Sequence, residues 1–401
     1  MEQRAAVQAR AILPTIGKHR ERGFRFGLET EYLLVDAATY RPLGFRELTF
    51  EELDAALESI PIDDLPGMGD LQPMPPHRKK MPFYVEGYHV PDAFTEGARV
   101  IPKGIEIRTP PCDSIAETLE LVATLYERLQ GAMRGRGYRT VALSHHPVEE
   151  DFSGPQGKRA HDRWQWCMQA MLTYGPDLNI SLPPDLTAQL DATDLFAKVN
   201  YYAPALSAMS LASPIYRGKP WVINGRQGRS VRTYRRSLSG QALRMHLEQG
   251  GRLEFKSFEM TPQLADFHAY LLLWLTLLLD NGLAGRATNQ SRVYDLGAVA
   301  CDGLHVRHVR ERAAEVLDSA QRILPAWGFD PAPLEPFARR VATRRVPADE
   351  ILALYNRERS LPAVLKHLEA LRPEAPVAAP KVAVGPLCPV GVSSPLPALA
   401  Y

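Results

Sequence analysis

The chain has 401 residues, enough for one large domain or two ordinary ones, and its 45% apolar and 23% charged content is that of a soluble globular protein. A formal net charge of +1 gives no global reason to expect nucleic-acid or membrane binding. The four cysteines, Cys112, Cys167, Cys301 and Cys388, show neither CxxC pairing nor zinc spacing, so a reduced, cytoplasmic protein is the simplest reading.

Residues 1–22 read as a short amphipathic helix, and the absence of a long apolar core there argues against a signal peptide. The first strand is expected over 24–35. Residues i and i+2 of a strand share a face, so Glu29 and Glu31 point one way and Phe24, Phe26, Leu28, Tyr32 and Leu34 the other. Residues 44–60 read as helical. The stretch 61–103 is punctuated by Pro66-Gly67-Met68-Gly69 and Pro73-Met74-Pro75-Pro76 and is expected to be mostly irregular, a loop of the kind that covers a site.

A second acidic strand follows at 104–109, with Glu106 and Arg108 opposite Ile105 and Ile107. Ser114-Ile115-Ala116-Glu117 is a capping-box pattern that opens a helix running to about Met133. A strand is predicted at 138–144, ending at His145-His146-Pro147, whose histidines read as structural. The helix at 158–174 carries Trp164 and Trp166, assigned with Trp274 to the core. Asp177 to Leu182 alternates as a strand with Asp177, Asn179 and Ser181 on its polar face. A helix spans 191–212. The segment 217–236 reads as a loop dense in arginine and glycine. The strand 251–258 places Arg252, Glu254 and Lys256 opposite Leu253 and Phe255, and a long apolar helix follows at about 264–284. Its most apolar run, Tyr270 to Leu279, is too short to span a bilayer. Residues 303–372 read as helical, and 373–401, with seven prolines, as a flexible tail. Strands and helices mix without regular βαβ alternation. That favours an α+β fold with an antiparallel sheet: one domain over 1–372 plus the tail.

Glutamate is depleted in strands, so several glutamate-bearing strands in one chain imply a sheet with one face on the core and the other lining an acidic site. Side-by-side carboxylates such as Glu29 and Glu31 repel unless something positive lies between them. Divalent metals satisfy that requirement; so does a solvated face paired with arginines. The arginine forks of Arg226, Arg229, Arg232, Arg235 and Arg236 suit phosphate or carboxylate oxygens, and a basic surface loop is the alternative. There is no GxxxxGK[ST], no GxGxxG after a strand and no GxSxG, which leaves P-loop, Rossmann and serine-hydrolase chemistry without support.

Taken in order, these segments resemble the glutamate–cysteine ligase type 2 family of carboxylate–amine ligases. The resemblance rests on Gly27 to Glu31, Ile105 to Arg108, His146-Pro147, Ala212-Ser213-Pro214, Ser230-Val231-Arg232 and Arg252 to Lys256. It implies a curved antiparallel sheet of the glutamine synthetase and guanidino kinase type, with helices packed on one face. It also implies ATP with magnesium or manganese, and small-molecule carboxylate (glutamate-like) and amine substrates joined through an acyl phosphate, with no nucleic acid or membrane partner and a homo-oligomer as one possible assembly. By resemblance, Glu29, Glu31, Glu106 and Glu254 are candidate metal ligands; Asp177, where the family often has histidine, is added because its carboxylate can bind a hard metal through oxygen. Arg229, Ser230, Arg232, Arg235 and Lys256 bind the nucleotide, and Lys256, Arg232 and Arg108 serve catalysis. Two departures stand out. Asp177-Leu178-Asn179 replaces the family's frequent His-x-His, and Lys256 stands where arginine is usual. Phosphoryl transfer to a guanidino group, and a non-catalytic protein retaining the fold, are the alternative readings.

Overall fold

A computed structural model describes residues 23–79, 81–91, 99–158, 160–237 and 240–369. The helix expected over 1–22 and the tail expected over 373–401 lie outside the described residues. The central strand β1 (Arg25–Asp36) is twelve residues long. It is followed by α1 (Phe50–Glu58), β2 (Phe83–Val90), β3 (Arg99–Arg108), α2 (Ile115–Arg134), β4 (Tyr138–Val141), α3 (His161–Ala170) and β5 (Pro176–Ser181). Then come α4 (Ala192–Ser210), α5 (Val231–Ser237), β6 (Leu243–His246), β7 (Arg252–Phe255) and α6 (Leu264–Leu279). The chain closes with α7 (Asn289–Asp302), α8 (Arg307–Ala326), α9 (Glu335–Thr343), α10 (Pro347–Glu358) and α11 (Leu361–His367).

The strands form one antiparallel sheet in the order β6-β7-β5-β1-β3-β2, with β4 paired to the end of β1. Alternation in sequence becomes a two-faced sheet. Phe26, Leu28, Tyr32, Ile105, Ile107, Leu178, Ile180, Leu253 and Phe255 are all buried in the main core. Helices α2 and α6 pack on that side. Helix α6 is apolar around its whole circumference and is buried accordingly, with Trp274 stacked on Phe255 at 5.0 Å. Trp164 instead joins a smaller cluster with Tyr88, Phe152 and Met168, and Trp166 is half-buried. Ser114 caps α2 by accepting from the Glu117 N–H, while the Glu117 carboxylate accepts from Asp113 N–H rather than closing the box on Ser114.

Two segments differ from the sequence reading. The stretch 61–103 holds β2 and the first half of β3. Proline and glycine around Phe83-Tyr84-Val85 obscured a strand whose own residues favour one. Gly87 in β2 and Gly104 in β3 meet backbone at close range: a Cβ would lie 2.1 Å from the Ile101 carbonyl and 2.2 Å from the Tyr32 carbonyl, respectively. The segment 217–236 is also structured. Residues 215–216 pair with 219–220, residues 222–223 pair with 226–227, and α5 follows. Both hairpins turn on left-handed pairs, Arg217-Gly218 and Asn224-Gly225, the conformation of tight primed turns. No helix among the described residues is long and apolar enough to cross a membrane.

Candidate active site

The polar face of the sheet gathers carboxylates from five strands. In register, Glu31 lies opposite Glu106, Glu29 opposite both Arg108 and Asp177, and Glu254 opposite Asn179. Paired residues share a face, so pairing builds the cluster. Two trios result, Glu29–Asp177–Glu254 and Glu31–Glu86–Glu106, each with ligand oxygens within 4.8 Å of one another. All five predicted metal ligands are in these trios. Glu86, on β2, is the sixth carboxylate and was hidden in the stretch read as irregular.

Each trio holds a lysine. Lys256 Nζ contacts the Asp177 carboxylate and lies 3.0 Å from Glu254. Lys103 Nζ lies 3.0 Å from Glu31 and 3.6 Å from Glu86, and donates to the Thr173 carbonyl at 2.7 Å. Strand periodicity places Lys103 with Ile105 and Ile107 on the apolar face. A β-bulge overrides it. Glu86 pairs with Gly104 but Gly87 pairs with Pro102, so Lys103 is the extra residue and is turned to the carboxylates.

Two lysines do not neutralise six carboxylates. Burial, and then Asp177, push Glu29 up to about 7. Burial, followed by Glu29, Glu86 and Glu31, raises Glu106 well above the ordinary range. Asp177 moves the other way, because Lys256 outweighs the effect of burial. Lys256 is raised: burial disfavours its charge, but Asp177 and Glu254 prevail. The buried Oε2 of Glu254 has no hydrogen-bond partner, although the His246 and Arg244 side chains approach to 3.5 and 3.8 Å. This all-oxygen set, short of positive charge and with an orphaned oxygen, fits a hard divalent cation such as magnesium or manganese.

Arg108 joins the face, its guanidinium 4.5 Å over the Tyr84 ring. Arg232 is fully buried on α5 and donates to the Lys256 carbonyl at 3.3 Å. It lies against Gly175, where a Cβ would meet its guanidinium at 2.1 Å, and the Gly175 N–H donates to Glu31 at 2.8 Å. The other residues assigned to the nucleotide lie elsewhere. Arg229 faces Asp349 at 3.3 Å and the Cys301 carbonyl at 3.0 Å. Arg235 donates to Gln169 and to the Glu150 carbonyl. Ser230 is buried: its hydroxyl bonds Glu259 and accepts the Thr233 N–H at 2.8 Å. Glu259, fully buried, also accepts from Ala212 N–H, Ser213 and Thr233 at 2.7, 2.8 and 2.7 Å. The Ala-Ser-Pro and Ser-x-Arg segments are thus tied to one carboxylate, which fixes the start of the helix that carries Arg232. His145 and His146 are buried and held below their ordinary range, first by burial. The Nδ1 of His146 accepts from the Val148 and Glu149 N–H groups.

By fold the protein groups with two solved ligases. The bifunctional glutathione synthetase of Pasteurella multocida superposes with a TM-score of 0.56 at 16% identity, over 90% of this chain and 54% of that one. The glutamate–cysteine ligase of Francisella tularensis, in complex with AMP, gives 0.55 at 14% identity, over 86% of this chain and 87% of that one. The profile of glutamate–cysteine ligase family 2 matches residues 25–235, more than half of the chain, and the chain belongs to that family. A Rhodospirillum rubrum protein named for glutamate–cysteine ligase 2 is 28% identical over 207 residues, 50% of this chain and 44% of that protein. A Roseiflexus castenholzii protein of the same name is 25% identical over 122 residues, 29% of this chain and 31% of that one. The matches thus span less than half the length of these curated relatives.

Proposed function

We propose that the protein is an ATP-dependent carboxylate–amine ligase that joins a small carboxylic acid to an amine. The observation that carries this reading is the pair of carboxylate trios on one rigid sheet face, with Lys256 and Arg232 at one end. Family membership and the AMP-bound relative support a nucleotide there. Glu29, Asp177 and Glu254 would hold one divalent ion and Glu31, Glu86 and Glu106 another. Bound magnesium or manganese supplies neutralisation of phosphoryl charge.

The acid's carboxylate oxygen attacks the γ-phosphorus of ATP, the bond to the β,γ-bridging oxygen breaks, and ADP leaves. The amine then attacks the acyl carbon, loses a proton and expels phosphate, leaving an amide. Lys256, fixed between Asp177 and Glu254, presents an ammonium where phosphoryl charge develops, and Arg232 adds a second positive group beside it. Both are positioned before substrate arrives, which is the main contribution a protein makes to phosphoryl transfer.

The test is ADP release with magnesium or manganese across acids and amines, with mass spectrometry of the product. Amide plus phosphate supports the ligase. A phosphorylated guanidine points to phosphotransfer. No nucleotide turnover with any pair points to a binding protein.

A further inference from the structure

The two carboxylate trios differ in how each holds its lysine. Lys103, the extra residue of the bulge, has a side chain only 4% exposed, against 17% for Lys256. Its Nζ donates to the Thr173 carbonyl at 2.7 Å and lies 5.3 Å from the centre of the Tyr174 ring. The Tyr174 hydroxyl donates in turn to the Lys103 carbonyl at 2.8 Å. Backbone and ammonium are thus both tied to the same two residues. Glu31 Oε2, 3.0 Å from this ammonium, also accepts the Gly175 N–H at 2.8 Å, so that oxygen is committed to the protein. Lys256 is tied differently. Among the described residues its Nζ meets only carboxylates, those of Asp177 and Glu254, and it ends a flexible stem one residue past β7. Glu254 keeps a buried Oε2 with no hydrogen-bond partner. A cation entering the first trio therefore meets an open oxygen and a lysine with room to swing aside. A cation entering the second meets a fixed ammonium and an oxygen already in use.

We propose that Lys103 is a built-in cation that sets the order of metal loading. Without nucleotide the protein takes one divalent ion, in Glu29–Asp177–Glu254. The Glu31–Glu86–Glu106 trio takes its ion only together with the nucleotide phosphates. The inference rests on the ligase reading and adds a sequence of assembly to it. A fixed unit charge a few ångströms from a divalent ion opposes it strongly where water does not screen the pair. Phosphate oxygens offset that charge and add hard ligands, so the second ion becomes favourable when they arrive. Placing the ammonium takes a specific device, since a bulge re-aims a side chain that strand alternation would send to the core. Its cost in desolvation is met by the carboxylates and by the Thr173 carbonyl.

Ion counting tests this without requiring turnover. The full chain is dialysed to equilibrium against manganese, bound metal is measured per chain, and calorimetry gives the affinities. Wild type without nucleotide is expected to hold one ion, retained in Glu106→Gln and lost in Glu29→Gln. With a non-hydrolysable ATP analogue, wild type is expected to hold one ion more than Glu106→Gln does. Lys103→Met is expected to take a second ion without nucleotide, about ten-fold or more tightly than the wild type does. Lys103→Arg, which keeps the charge, is expected to hold one. Two ions of similar affinity in the nucleotide-free wild type would overturn the proposal. So would a single ion that Glu106→Gln abolishes and Glu29→Gln spares, or a Lys103→Met protein that still takes only one. No bound manganese under any condition would remove the metals from the ligase reading and this inference with them. Absent ADP release with the expected counts would refute the ligase reading alone. If Lys103→Met fails to fold, the wild type and the two glutamine variants decide.

Discussion

Lys103 Nζ and Glu31 are 3.0 Å apart, the same distance as Lys256 Nζ and Glu254 at the other end of the sheet face. The two carboxylate trios are therefore built alike, each around an ammonium, although one lysine sits at a bulge and the other just past the end of a strand. Their expected consequences differ, because Lys256 lies beside the buried guanidinium of Arg232, which donates to its carbonyl.

Lys103→Met should leave Glu31, Glu86 and Glu106 without their internal cation. Removing one partner of a buried pair costs about 3–5 kcal/mol. The variant should melt well below the parent in the presence of a chelator, and magnesium should raise its melting temperature by more than it raises the parent's. Equal melting of the two in chelator would show that Lys103 does not hold this trio together.

Lys256→Met should lower kcat by roughly two orders of magnitude or more, with a smaller change in KM for ATP, because its charge acts where phosphoryl charge develops. Lys256→Arg should recover part of the rate, since the charge returns with a different shape. Steady-state kinetics per folded molecule checks this, and a near-parental rate for Lys256→Met would remove the late strand from the chemistry.

Much of this face was legible because strand alternation is local. Glu29, Glu31, Glu106, Asp177 and Glu254 were all placed by period two alone, and the antiparallel sheet followed from the order of elements. Lys103 was not legible, since the same rule assigns it to the apolar side until a register shift at Glu86 and Gly87 turns it. Glu86 was lost with its strand among proline and glycine signals. Ser230 illustrates a different limit. A Ser-x-Arg motif does not say whether the serine faces a ligand, and the partner that buries it, Glu259, lies 29 residues away.

The stability of the His-His-Pro turn should depend on pH. Burial holds His146 at about 4 against an ordinary 6.5, so the folded state favours the neutral ring. Its contribution is fully present above pH 6.5 and is lost as pH falls from 6.5 towards 4, by up to about 1.4 kcal/mol per pH unit. His146→Asn keeps an acceptor for the Val148 and Glu149 N–H groups and does not titrate. Denaturant melts across that window should show a shallower acid decline for the variant, and an unchanged slope would remove His146 as a source of it.

Glu259 separates positioning from binding. Its carboxylate ties Ala212, Ser213, Ser230 and Thr233 together at the first turn of α5, the helix that carries Arg232. Glu259→Ala strands several buried donors, each costing about 1–3 kcal/mol, so a large loss of stability is expected. Glu259→Gln retains one acceptor oxygen and should be milder. If Glu259 sets the place of Arg232, the glutamine variant should show a raised KM or a lowered kcat in ADP release while remaining folded at the assay temperature. Partial rescue by Glu259→Asp should follow, because a carboxylate returns with a shorter reach. A glutamine variant that loses stability but turns over normally per folded molecule would confine Glu259 to holding the loop together, and the position of Arg232 would then have to come from its packing against Gly175 and the Lys256 carbonyl.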